Sequence, residues 1–324
     1  MSTPTRRNNR AGTIFAIVVI ALVLLAALWL FLGSRGTGGP AASSSPGASP
    51  SATSESPSGE ASASPTDEAS PSPSGAAAGE LEVTAKDFSF EAPPSVAAGV
   101  VTVSVKNSGN EDHQAQLARI ADGNTLADVV AALLANEAGA FALLTFSGGP
   151  TGATPGSTVT ATTALEPGNY AMLCFIPSPD GVPHTAKGMV APLEVTEPAT
   201  AATLPDGDAS LTMKDFAYEP PVTLSAGARV IAVDNPGPQP HEATVIRLND
   251  GVTVDSLRTA FASGQPPAPP YTRAGGIAAI APNMEGTMAL DLTAGNYAFI
   301  CFLPDPATGK SHAELGMIGE LTVE

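Results

Sequence analysis

The chain has 324 residues, with 14 Lys+Arg against 31 Asp+Glu and a formal net charge of −17. That length suits two ordinary domains, and the acid excess excludes a nucleic-acid-binding surface and docking onto anionic lipid. Only four histidines and two cysteines occur, and no CxxC pair is available for dithiol exchange or haem attachment.

Residues 1–12 carry Arg6, Arg7 and Arg10 and read as a short cytoplasmic tail. Residues 13–32, "TIFAIVVIALVLLAALWLFL", are uncharged and almost wholly apolar. At about 1.5 Å rise per residue they span the roughly 30 Å hydrocarbon core of a bilayer. Only Arg35 follows closely, so the positive-inside rule predicts a single-pass signal anchor in the cell membrane, with everything C-terminal to it extracytoplasmic. A cleaved signal peptide is the alternative. Its apolar core is usually shorter, and "FLGSRG" is a poor cleavage site. Residues 33–79 are dominated by Ser, Pro, Ala and Gly and cannot bury enough apolar surface to order themselves, which predicts a disordered tether. Beyond Arg35 stand 10 basic residues against all 31 acids, a balance that suits solubility and also admits a basic redox protein partner.

The rest of the chain is a repeat. "KDFSFEAPPSVAAGVVTVSVKNSGNEDHQAQLARI" from Lys86 aligns without a gap with "KDFAYEPPVTLSAGARVIAVDNPGPQPHEATVIRL" from Lys214, an offset of 128. "LEPGNYAMLCFIP" matches "LTAGNYAFICFLP" at 127, and the closing "GMVAPLEVTE" and "GMIGELTVE" return to 128. A period this long marks domain duplication, with domains at 80–197 and 209–324 joined by a linker at 198–208. In each copy "VVTVSVKN" and "ARVIAVDN" alternate with period two and end in turn chemistry. "STVTATTAL", "GTMALDLTA", "GNYAMLCFIP" and "GNYAFICFLP" are further predicted strands, the last two ended by proline. One helical stretch is predicted per copy, "TLADVVAALLANEAGAFALL" and "TVDSLRTAFASG". The predicted class is all-β, two tandem Greek-key sandwiches with one helical insertion each. Tyr170 and Tyr297 are expected in the core on the face of the cysteines. Asp87, Phe88, Asp215 and Phe216 read as strand starts and core aromatics, and Gly148-Gly149 and Gly275-Gly276 as turns.

Every His and Cys obeys the repeat: His113, Cys174 and His184 in the first copy, His241, Cys301 and His312 in the second. Met189 and Met317 each follow the second histidine by five residues. Two imidazoles, a thiolate and a weak thioether are the donors of a trigonal copper site with a long axial bond, able to hold both oxidation states. A disulfide between Cys174 and Cys301 is the competing reading for an exported chain, and the methionines taken alone suit a core.

"GNYAFICF" resembles the G-x-Y-x-F-x-C strand of plastocyanin-like cupredoxins. The H-x4-M spacing before "GMV" or "GMI" and a closing strand is similar to theirs, as is a Gly-containing turn after Asn just before the first histidine, in "NSGNEDH" and "NPGPQPH". The resemblance covers both copies and implies two type 1 copper sites, His113/Cys174/His184/Met189 and His241/Cys301/His312/Met317, with copper as cofactor. One departure is the Cys–His loop, which holds nine residues in the first copy and ten in the second where the family has a few. A fourfold longer loop costs only about 1 kcal/mol of closure entropy, and Asp180-Gly181 is expected to fold the insert as its own tight turn.

With all four histidines in two mononuclear sites, none is left for a catalytic copper cluster or a Ser-His-Asp set, so the chain is expected not to be an enzyme. The leading expectation is a membrane-anchored protein passing single electrons. A copper carrier and a metal-free cupredoxin-like interaction module are the alternatives. Glu111 and Asp112 flank the first site and "PQPH" leaves the second without acids on that side, which predicts different potentials.

Overall fold

A computed structural model describes residues 79–135, 137–197, 202–219, 222–264 and 271–324. The predicted membrane span and the tether up to residue 78 lie outside the described residues. Among the described residues no helix is long and apolar enough to cross a membrane.

The first copy runs β1 (Gly79–Lys86), β2 (Ser89–Glu91), β3 (Ser95–Ala97), β4 (Gly99–Asn107), β5 (Gln116–Ile120), α1 (Leu126–Ala135), β6 (Leu144–Phe146), β7 (Thr158–Leu165), β8 (Gly168–Leu173) and β9 (Val190–Thr196). The second runs β10 (Ala209–Lys214), β11 (Ala217–Glu219), β12 (Val222–Leu224), β13 (Gly227–Asn235), β14 (His241–Leu248), α2 (Val254–Ala262), β15 (Tyr271–Ile280), β16 (Met284–Leu292), β17 (Gly295–Ile300) and β18 (Ile318–Val323). Each copy packs one sheet on another: β2-β1-β4-β7 on β3-β9-β8-β5-β6, and β11-β10-β13-β16 on β12-β18-β17-β14-β15. Alternation is the cause. In β4, Val101, Val103 and Val105 are buried while Thr102 and Ser104 are half-exposed, so one face turns to the core. Tyr170 and Tyr297 are buried in the same clusters as Cys174 and Cys301, and their hydroxyls donate to Glu166 O (2.9 Å) and Thr293 O (3.0 Å). The predicted helices form at both insertions. α2 starts with a capping box in which Thr253 and Ser256 exchange side-chain and backbone hydrogen bonds.

The sequence leaves open how the copies meet. β7 pairs antiparallel with β16, so the two first sheets merge into one of eight strands. In that pair Ala161 faces Met288, residues 127 apart and thus equivalent in the repeat. A second junction brings Pro150 opposite Ile277, again 127 apart. Both pairs lie on a pseudo-two-fold axis, so the repeat folds as an internal dimer with a self-complementary interface. Between them Gly148 N–H donates to Ala279 O (2.8 Å) and Ala278 N–H to Gly149 O (2.7 Å). Gln116 adds a reciprocal pair, Nε2 to Ala279 O (2.9 Å) and Oε1 from Ala279 N–H (2.7 Å).

Two expectations need correction. Gly275-Gly276 lies inside β15, and Gly148-Gly149 in the extended segment that meets it, so neither pair is a turn. A Cβ on Gly149 would sit 2.1 Å from Ala115 O and one on Gly276 2.2 Å from Ala243 O, which makes both glycines close-approach positions. The strands β8 and β17 also stop one residue before their cysteines rather than running to the proline. There the ladder is replaced by bonds from the ligand loop, Thr185 N–H to Cys174 O and Ala313 N–H to Cys301 O, both 2.9 Å.

Candidate metal centres

Each copy brings its two histidines and its cysteine together. The donor atoms of His113, Cys174 and His184 lie within 4.8 Å of one another, as do those of His241, Cys301 and His312. Nδ1 of His113 is 3.2 Å from Nδ1 of His184, and Sγ of Cys174 is 3.3 Å from the latter. In the second copy the matching distances are 3.0 and 3.3 Å. All six side chains are buried, and so are Met189 and Met317, which belong to the same core clusters as the cysteines. Both cysteines are free thiols, so the Cys174–Cys301 bridge is not formed.

The long Cys–His inserts fold as miniature hairpins. Gly181 N–H donates to Ser178 O, Ser178 N–H to Val182 O, and Pro177 bridges to Pro183, with Val182 N–H on Asp180 Oδ1. The chain therefore returns to its starting point, and His184 N–H reaches Ile176 O at 3.0 Å. Pro304, Asp305, Lys310 and Ser311 repeat the device, delivering His312 N–H to Leu303 O at 2.8 Å. The extra residues are spent on a local turn, and the spacing between ligands is restored. Met189 N–H and Met317 N–H then bond to the carbonyls of His184 and His312, which ties the methionines to the loop.

Around these donors lies a shell that a strand-and-core reading misses. Asp87 Oδ1 is 3.3 Å from His113 Nε2, and Asp215 Oδ1 is 2.9 Å from His241 Nε2. Burial works against the Asp87 charge, yet hydrogen bonds from the Asn110 side chain and from the Asn110 and Glu111 N–H groups hold its pKa at about 2. Phe88 and Phe216 stand edge-on to His184 and His312 at 5.3 Å between centroids. Each has a positive φ, 65° and 61°, a strained setting for a bulky residue that both copies keep beside the site. The signal was present in the sequence as the repeated Lys-Asp-Phe. Asn107 and Asn235 lock the first histidine's loop, donating from Nδ2 to Glu111 O (2.7 Å) and Gln239 O (2.9 Å). The second histidines differ: His184 Nε2 meets Glu111 Oε2 at 2.9 Å, whereas His312 Nε2 meets Gln239 Oε1 at 3.3 Å.

This shell decides the tautomers. A carboxylate only accepts, so His113, His184 and His241 carry their proton on Nε2, and the Gln239 oxygen asks the same of His312. Every Nδ1 then presents a lone pair. Two lone pairs face each other at 3.2 or 3.0 Å in a buried pocket where the cysteine S–H, 3.3 Å from the second histidine, is a donor for only one of them, and a cation between them relieves both. A thiol completes the set, and the donors present fit a soft-to-borderline metal such as copper.

Each half is a two-sheet β-sandwich that encloses one His/Cys/His group. No family model matches this sequence, and no curated protein does. Among solved structures the chain is similar to a dithionite-reduced auracyanin from the photosynthetic bacterium Roseiflexus castenholzii, at 19% identity over 36% of this chain and 95% of that one, with a TM-score of 0.25. It is also similar to a multicopper oxidase, at 14% identity over 76% and 88% of the two chains and a TM-score of 0.22. A copper-containing nitrite reductase from Thermus scotoductus matches at 14% over 76% and 61%, with a TM-score of 0.21.

Burial raises the Cys174 thiol to about 12, against the Gln114 and Ile176 N–H groups, and pushes Cys301 higher still, helped by the Glu242 carboxyl. Without metal both cysteines are therefore neutral, and metal entry must release a thiol proton. Burial also lowers His113, His241 and His312, the last to about 4. For His113 and His312 the charge the partner imidazole would carry adds to the effect. The unfolded chain then binds more protons than the folded one between pH 6.5 and about 4. Stability conferred by these neutral histidines is complete above pH 6.5 and is lost as pH falls toward 4. The urea midpoint of the metal-free chain is expected to drop steeply across that window, and a flat midpoint from pH 7 to 4.5 would contradict it.

Proposed function

We propose that this chain is a membrane-anchored, extracytoplasmic protein holding two type 1-like coppers and passing single electrons. The observation that carries the reading is the pair of inward-facing Nδ1 lone pairs beside a buried thiol, built twice. His113, Cys174, His184 and Met189 would hold one copper, and His241, Cys301, His312 and Met317 the other. When bound, the metal supplies a one-electron couple. The chain contributes the rest. Asp87, Asp215, Glu111 and Gln239 fix the imidazole tautomers, the hairpin inserts hold the second histidines, and complete burial of the ligands excludes water. All four histidines are consumed by the two sites, which supports a carrier rather than an oxidase. The apolar stretch at 13–32 and the basic residues before it support the anchor and its orientation.

The test is a titration of the metal-free chain with Cu(II) followed by visible absorption. An intense thiolate-to-copper charge-transfer band saturating at two coppers per chain is expected. Tight binding without the band would favour a copper buffer, and no stoichiometric binding would favour a metal-free interaction module.

The two sites are expected to differ in potential, because Glu111 is a carboxylate on His184 where Gln239 is neutral on His312. The acids are not confined to the first site, since Glu242 lies buried beside Cys301. A carboxylate favours the more positive oxidation state. Glu111→Gln should raise the first site's potential by on the order of 50–100 mV, about one to two factors of ten at 59 mV each. A redox titration in the Cys301→Ser background isolates that site, and an unchanged potential would remove Glu111 from its tuning.

A further inference from the structure

A cleft of about 580 Å³ opens between the two copies, inside the size range of small-molecule sites. Both candidate centres back onto it. Phe175 and Phe302, the residues that follow the two cysteines, line it, as do Gln114 and Glu242, the residues that follow the two first histidines. Each half adds a second phenylalanine to the wall, although only Phe175 and Phe302 are equivalent in the repeat. Phe141, near the end of the first helical insertion, packs edge-on to Phe175 at 5.7 Å between centroids, and Phe261 on α2 packs against Phe302 at 6.1 Å.

The polar groups break the symmetry. The first copy supplies Gln114, whose Oε1 accepts from Thr151 Oγ1 at 3.3 Å. The second supplies Glu242, whose Oε1 accepts the Phe302 N–H at 2.8 Å, and Arg273. The Arg273 guanidinium lies 5.5 Å from the Phe302 ring centroid and also reaches across the junction to Asp112 at 3.3 Å. Because Arg273 already has an anionic partner, the cleft offers no free positive charge to an anion among the described residues. What it offers is two pairs of phenylalanines and a few hydrogen-bonding groups beside them. Edge-and-face packing against such rings favours an aromatic guest, and the buried amide and carboxyl favour one that donates a hydrogen bond.

We propose that the cleft between the repeats is a binding site for a small uncharged phenolic molecule, its ring held between Phe141/Phe175 and Phe261/Phe302 and its hydroxyl on the Gln114/Glu242 side. The site belongs to the interface and not to either copy, which gives the internal dimer a role beyond stability. It does not depend on either centre holding copper.

The test uses the full chain, prepared metal-free, and 4-fluorophenol followed by fluorine NMR. Saturable binding at one site per chain is expected. Phe175→Leu and Phe302→Leu, each of which removes a ring while keeping most of the volume, should weaken it at least fivefold, with melting temperatures confirming that they fold. Competition by 4-fluoroanisole, which cannot donate, should be at least fivefold weaker, and by cyclohexanol weaker again. Absence of saturable binding to the unmutated chain overturns the proposal whatever the variants do. Binding unchanged by both leucine variants, or matched by cyclohexanol, overturns it as well. Because no copper is present, failure here leaves the copper reading untouched, and failure of the copper titration leaves this result standing.

Discussion

Cys174→Ser is expected to abolish the charge-transfer band of the first site and leave that of the second, so that the copper-saturated chain keeps half its intensity. Cys301→Ser should give the mirror result, and the double variant no band. The cause is chemical. The band requires a thiolate, and a serine hydroxyl is neither soft nor ionised beside a metal held by imidazoles. The loss of affinity at the altered site should exceed the roughly 10–100-fold that changes to supporting residues cost. The fold should survive, since serine is close to cysteine in size, although the buried hydroxyl needs a partner. Sγ of Cys174 already accepts the Gln114 N–H at 3.5 Å, a bond that the shorter serine side chain would inherit only with a small shift. The two thiols also predict a proton dependence. With Cys174 at about 12 and Cys301 above that, each site must shed its thiol proton to bind. Binding therefore strengthens as pH rises through neutrality, by close to tenfold per unit for one proton released. Visible titrations of the two single variants at pH 6 and 8 measure this, and pH-independent affinity would mean the thiolate is not the ligand.

Gly276→Ala is expected to be among the most destabilising single changes in the chain, costing about 4 kcal/mol or more. Gly276 has φ +131°, outside the range a side chain accepts, and an added Cβ would meet Ala243 O at 2.2 Å and Thr244 Cα and Val245 N at 3.0 Å. All three are backbone atoms of β14, so relief requires the two strands to part. Those strands carry both His241 and the junction to the first copy, where Thr151 N–H bonds Gly276 O at 3.2 Å. Gly251→Ala is the control. It also has a positive φ, +79°, but open space around it, so only the conformational cost of about 1–2 kcal/mol applies. Urea unfolding of the metal-free chain compares them. A difference below about 1 kcal/mol would mean that the close approach relaxes cheaply.

Much of the site was legible because duplication tests every residue twice. A histidine kept for solubility has no reason to reappear at a fixed offset, so the repeat separated His113, Cys174, His184 and their counterparts from chance. The same filter flagged Asp87, Phe88, Asp215 and Phe216, yet their role was not legible. Lys-Asp-Phe before an extended run reads as a strand start, and nothing local shows that the aspartate will turn toward an imidazole 26 residues away. The hairpin inserts stand between these cases. Asp180-Gly181 announced a turn, whereas the bonds that bring His184 back to Ile176 and Cys174 depend on where β8 ends.

By itself the sequence determined the layout of each copy: its alternation sets the faces of the strands, its repeat singles out the candidate donors, and its apolar and Ser/Pro-rich start separates an expected anchor and tether from the folded part. Only the tertiary structure decided how the copies meet, which glycines serve that meeting, which oxygens orient the imidazoles, and that both centres share one cleft. The physical reason is range. Periodicity and turn chemistry act over a few residues, while the β7–β16 pair, the Gly149 and Gly276 approaches and the Arg273–Asp112 contact join residues 33 to 161 positions apart. Such contacts form by the complementarity of whole surfaces, and no local pattern encodes them.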